Sequence, residues 1–216
     1  MNHHHLDVSR SARFFTLGAP SPALREVWFV LHGYGQLAEY FIRHFRPIAD
    51  DSRLIVAPEA LSRFYLDAEY KRVGASWMTR DDRERDIADN NAYLETVAGE
   101  IWQRLDPASV EVHVLGFSQG GATASRWAAT SAGFACHRLI LWASRIASDL
   151  DGHAAKLNRM RLTYVAGDRD PYLTPERARD ERAWLDGHGI AHTFVPFEGE
   201  HRMNPDVLRQ LITPAT

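Results

Sequence analysis

The sequence predicts an α/β fold, a mostly parallel central sheet of about seven strands with helices on both faces. Two observations carry that prediction. Short runs rich in Val, Leu and Ile alternate along the chain with longer segments of helical pattern. Several of those runs are apolar without alternation, as in strands buried on both faces.

In chain order, strands are expected at 13–17, 27–31, 54–57, 110–115, 139–142, 162–166 and 192–197. Helices are expected at 38–50, 83–105, 121–132, 175–188 and 205–211. Thr174-Pro175 supplies an N-cap followed by proline at the first helical position, and Gly189 closes that helix. Residues 1–11 read as a flexible, polar, His-rich tail, and 12–216 as one domain. Only about twenty residues separate the strand at 139–142 from the next, too few for a separate cap domain. The stretch 59–79 has no clear period yet holds Phe64, Tyr65, Tyr70 and Trp77. Loops this long are usually functional or disordered, and aromatics argue against disorder. It reads either as a lip over a site or as a packed surface loop.

Bulk properties exclude several classes. A net charge of −3 with 25% charged residues gives no basic excess for nucleic acid. No apolar run is long enough to cross a bilayer, and Met1–Ala12 lacks the apolar centre of a signal peptide. One cysteine, Cys136, excludes an internal disulfide framework. A soluble, cytoplasmic protein is expected, monomeric or homodimeric, with no metal or organic cofactor. His3, His4 and His5 are assigned no role.

The chemistry starts at Gly116-Phe117-Ser118-Gln119-Gly120, which follows an apolar strand and precedes an Ala-rich helix. That context makes Gly-x-Ser-x-Gly a nucleophile elbow, with Ser118 lifted off the end of the sheet. A serine hydroxyl needs a base, and the base needs an orienting acid. Both should follow later strands at the same sheet edge. His201 lies in the turn after the last strand and is the expected base. His188 and His192 fall near a helix end and a strand start, and His113 and His137 lie in or beside strands. Asp168 and Asp170 compete as the acid after 162–166. Asp168 follows the turn glycine, a place for a local Asx turn. Asp170 precedes Pro171, whose ring biases it towards extended backbone, and this favours Asp170. For the oxyanion, the backbone N–H of Gln119 follows the nucleophile. A second donor is expected from His32-Gly33-Tyr34-Gly35, with Tyr34 N–H favoured and His32 structural.

Together, Gly116-Phe117-Ser118-Gln119-Gly120-Gly121, Leu31-His32-Gly33-Tyr34-Gly35, Ala57-Pro58, Ser76-Trp77 and Asp168-Arg169-Asp170-Pro171 resemble the phospholipase/carboxylesterase family of α/β-hydrolases. That group includes acyl-protein thioesterases and bacterial carboxylesterases. The resemblance runs from about Val27 to His201. It implies Ser118, Asp170 and His201 as catalytic groups and Tyr34 and Gln119 as oxyanion donors. It implies an α/β-hydrolase fold and cleavage of carboxylic esters or thioesters through an acyl-serine intermediate. Glu200 beside His201, and Tyr172 and Leu173 after Pro171, depart from the family's usual pattern. Without a cap, an open groove for short to medium acyl chains is expected. Phe64, Tyr65, Tyr70, Trp77, Trp142 and Tyr172 are its candidate lining, with Trp142 and Tyr172 equally readable as packing residues. An acyltransferase or lyase using the same triad, and a non-catalytic binding protein, are the alternatives.

Overall fold

The computed structural model describes residues 1–212; the last four residues of the expected domain, 213–216, lie outside the described residues. Seven strands form the main sheet: β1 (Phe14–Leu17), β2 (Glu26–Leu31), β3 (Arg53–Pro58), β6 (Glu111–Phe117), β7 (Cys136–Trp142), β8 (Arg161–Gly167) and β9 (His192–Phe197). Their spatial order is β1-β3-β2-β6-β7-β8-β9. Only β1 runs antiparallel, against β3 at one edge; every other pairing is parallel. This is the mostly parallel α/β arrangement expected.

Both faces of the sheet are covered, and the side-chain alternation of β2 shows how. Val27, Phe29 and Leu31 enter a core under α2 (Arg83–Trp102) and α3 (Gln119–Thr130). Trp28 and Val30 enter a second core under α1 (Ala38–Phe41), the 3-10 segment Ile42–Ile48 and α6 (Pro205–Ile212). A strand buried on both sides has no polar alternation to display, which is why β2 reads as one apolar run. The one-turn α4 (Ala154–Leu157) and α5 (Pro175–Gly187) complete the layers. Thr174 caps α5 by accepting from Arg177 N–H, and Gly189 follows with φ +64°. Between β7 and β8 there is one 3-10 turn and α4, with no cap domain.

Two expectations change. The helix expected at 38–50 is α-helical only to Phe41 and continues as 3-10 helix to Ile48. Pro47 lies inside that stretch, and its ring and missing N–H disfavour continued α-helix. The stretch 59–79, read as irregular, contains a hairpin of β4 (Ser62–Tyr65) and β5 (Val73–Ser76). Four-residue strands, one of them Val-Gly-Ala-Ser, carry too little apolar alternation to be recognised.

Candidate active site

Ser118 sits between β6 and α3 with φ 52° and ψ −121°, a left-handed conformation costing about 1–3 kcal/mol for a side-chain-bearing residue. The surroundings hold it there. Its N–H donates to Trp142 O at 2.9 Å, and its carbonyl accepts from Ser144 Oγ at 2.7 Å and Gly121 N–H at 2.9 Å. Glycines permit the crossing. A Cβ on Gly116 would strike the Gly120 and Gly121 backbone, and one on Gly120 would strike the carbonyls of Leu31 and His32. α3 begins at Gln119, two residues before the expected start, so the residue after Ser118 heads the helix.

His201 approaches from the turn after β9. Its Nε2 lies 2.9 Å from Ser118 Oγ, and its Nδ1 lies 2.8 Å from Asp170 Oδ2. A carboxylate only accepts, so Nδ1 carries the proton and Nε2 is left to accept from the serine hydroxyl. Asp170 is 5% exposed, and its Oδ1 accepts Tyr172 N–H at 2.8 Å. The imidazole is flanked by Phe117, at 5.0 Å between centroids, and edge-on by Tyr172 at 4.7 Å. Glu200 is exposed to solvent.

Asp168 takes a different part from the one its position suggests. Its carboxylate accepts Gly199 N–H at 2.9 Å, and Arg169 N–H donates to Gly199 O at 2.9 Å. These bonds tie the turn carrying Asp170 to the turn carrying His201. The local Asx-type bond expected at Asp168 belongs to Asp170. Gly167 has backbone of Gly199 and Glu200 where a Cβ would stand, so the two turns touch.

The turn after β2 lies against the elbow: a Cβ on Gly33 would meet Ser118 Cβ at 3.2 Å. Within this turn Gly33 N–H donates to Gln36 Oε1, Gly35 N–H to Ala75 O and Gln36 N–H to Gly33 O. The N–H groups of Tyr34 and Gln119 have no acceptor among the described residues. Two unengaged amides beside a serine hydroxyl suit an oxyanion. His32 is fully buried; its Nδ1 donates to Gly33 O at 2.8 Å, and its Nε2 accepts Ala60 N–H at 3.1 Å. Burial holds its pKa below the ordinary histidine value, so it is a neutral brace.

A further brace has no counterpart in the sequence reading. The Gln119 side chain accepts Trp77 N–H at 3.0 Å and donates to Met78 O at 2.8 Å. Trp77 Nε1 donates to His32 O at 2.8 Å. The strand-end segment 76–78 therefore links elbow and oxyanion turn. The only sequence signal for it is a long amide side chain at the first position of α3.

The candidate groove residues divide. Trp77 and Trp142 are 1% and 0% exposed, and this corrects their expected place on an open groove. Both sit in the interior because their indole N–H groups have carbonyl partners, His32 O for Trp77 and Arg202 O for Trp142. Tyr172 is exposed beside His201. Phe64 lies tilted against Tyr34, at 5.0 Å between centroids, while Tyr65 and Tyr70 pack edge-to-face on each other at the hairpin. One exposed group, His3, His5 and Asp82, brings three possible metal-ligating atoms within 4.8 Å of one another; it shares no residue with the strand-end site. No helix among the described residues is long and apolar enough to cross a membrane.

No protein-family model and no curated protein sequence matches this chain. Solved structures do. Acyl-protein thioesterase 2 of Zea mays superposes with a TM-score of 0.72 at 16% identity, over 93% of this chain and 96% of that one. A carboxylesterase from Mesorhizobium loti gives 0.68 at 21% identity, over 88% and 90%. Esterase PE8 gives 0.65 at 21% identity, over 94% and 96%. At these identities the likeness establishes the fold, that of α/β-hydrolases of the kind the sequence resembles.

Proposed function

We propose that this chain is a serine hydrolase cleaving carboxylic esters, and thioesters by the same chemistry, through an acyl-serine intermediate. The observation that carries the reading is the run of bonds from Ser118 Oγ through His201 to Asp170, with 2.9 Å and 2.8 Å contacts from three separate strand ends. Solved structures named as esterases, a carboxylesterase and an acyl-protein thioesterase share the fold, which supports the reading.

The steps follow from the geometry. His201 Nε2 takes the Ser118 proton as Oγ attacks the carbonyl carbon, and the oxyanion lies between the N–H groups of Tyr34 and Gln119. The imidazolium then protonates the leaving oxygen or sulfur, and the acyl-serine forms. Water, deprotonated by the same nitrogen, releases the acid and restores the serine. Asp170 holds the tautomer and stabilises the imidazolium. Residues from 12 onward act as one catalytic domain of a soluble, cytoplasmic enzyme with a small-molecule substrate. Without a cap, short to medium acyl chains fit the open site.

A fluorophosphonate probe tests this reading. It is expected to modify wild-type protein once, at Ser118, and to leave Ser118→Ala unmodified. Absence of labelling in folded wild-type protein, or labelling elsewhere, contradicts it.

A further inference from the structure

Asp82 stands at the start of α2, where an aspartate ordinarily accepts backbone N–H groups of the first turn. Here it does not. Its backbone is left-handed, with φ 52°, and its side chain accepts no capping bond. The carboxylate is engaged by the N-terminal tail, where His5 Nε2 donates to Oδ2 at 2.7 Å. His3 stands beside His5, with 4.5 Å between ring centroids. One donor atom from each of the three residues lies within 4.8 Å of the other two. The catalytic steps use none of them.

The fold brings the tail to this place. Arg13 is held by Glu59 at 2.7 Å, and its carbonyl accepts the Tyr93 hydroxyl at 2.8 Å. Tyr93 lies on α2, about 16 Å along the axis from Asp82. The eight residues from Arg13 back to His5 can span at most about 29 Å. The tail therefore runs back to the head of α2 with slack. Local charge does not oppose a cation there. Residues 80–86 hold four carboxylates and three arginines, and Arg83 is engaged by Glu84 at 2.6 Å and Asp149 at 3.7 Å.

Two imidazoles and a carboxylate are a donor set for Zn²⁺ and related ions. Tetrahedral bonds of about 2.1 Å put ligand atoms about 3.4 Å apart. That spacing falls between the 2.7 Å contact and the 4.8 Å limit of this group, and exposed side chains can adjust to it. We infer that His3, His5 and Asp82 bind a divalent transition-metal ion of the zinc type, which clips the N-terminal tail to the head of α2. The ion replaces the proton between His5 Nε2 and Asp82; the ring keeps its other proton on Nδ1. A fourth position is left to water, and the site is a structural clip rather than part of the strand-end chemistry. It stands independently of the ester-hydrolase reading.

Calorimetric titration of the full chain with zinc chloride at neutral pH tests this. Wild-type protein is expected to bind one Zn²⁺ per chain saturably. His3→Ala, His5→Ala and Asp82→Asn should each weaken binding by about tenfold or more, at least what loss of a supporting group costs a metal site. His4 contributes no atom to the group, so His4→Ala should bind close to wild type. The control matters because a His-rich tail can chelate metal by itself. Tail chelation alone predicts unchanged binding in Asp82→Asn and a loss in His4→Ala equal to that in His3→Ala or His5→Ala. Either of those results, or no saturable binding by wild-type protein, overturns the inference.

Discussion

Two histidines at opposite ends of the sheet stand near carboxylates, and they differ in almost everything else. His201, at the carboxyl edge, is partly exposed and spends both ring nitrogens at 2.8–2.9 Å on Asp170 and Ser118. His113, in β6 on the amino half of the sheet, is 4% exposed beside Trp28. Its Nε2 is 3.8 Å from Glu26 and 3.6 Å from Glu111, and its Nδ1 has no partner. Two carboxylates near His113 do not make it a base, because burial outweighs them and pushes its pKa down to about 4. A histidine becomes a catalytic base through aligned partners and access to substrate, more than through nearby negative charge.

Exchanging the two positions gives the largest expected contrast. His201→Ala should lower kcat/KM for a nitrophenyl ester by about 10⁴-fold or more, as removal of a triad base does. His113→Gln should leave it within about threefold. Comparable losses at both positions would erase the distinction.

The next contrast separates the two aspartates of one turn. Asp170→Asn should cost about 10³–10⁴-fold in kcat by disturbing the imidazole tautomer. Asp168→Ala removes the charge-assisted bond to Gly199 and should cost about tenfold. Steady-state kinetics on both variants would show whether Asp168 positions the base turn or stabilises charge directly.

Gly120→Ala probes the backbone beneath the carboxyl edge. Its new Cβ would meet the Leu31 and His32 carbonyls, so either the elbow or the oxyanion turn must shift. A loss of about 1–3 kcal/mol in urea-unfolding stability is expected, together with reduced kcat.

The smallest effect concerns the amino half of the sheet and acid. The folded-state pKa of His113 lies near 4, below the unfolded value of about 6.5, so the unfolded chain binds the extra proton first. Stability is thus unaffected by this group above about pH 6.5 and falls as pH drops towards 4. Urea midpoints measured across that window should fall less steeply in His113→Gln than in wild-type protein.

How much of this was legible in the sequence depended on whether a feature was local. The strands, the elbow and the turn positions of Asp170 and His201 declare themselves through apolar runs, glycines and Pro171. Their order along the chain then brings them to one sheet edge. The Gln119 clamp on 77–78, the Ser144 bond beneath Ser118 and the Asp168 tie to Gly199 join residues 26 to 42 positions apart, and no short pattern encodes such pairs. Trp77 and Trp142 illustrate the same limit. An aromatic next to a catalytic turn looks like substrate surface until the partner of its indole N–H is known.

The most direct measurement is kcat/KM for 4-nitrophenyl hexanoate in Ser118→Ala, His201→Ala and the double variant. If the two residues act as one unit, each single variant loses nearly all turnover and the double variant loses no more than the worse single one. Retained activity in Ser118→Ala, or losses that multiply in the double variant, would contradict a nucleophile and base working together at this strand end.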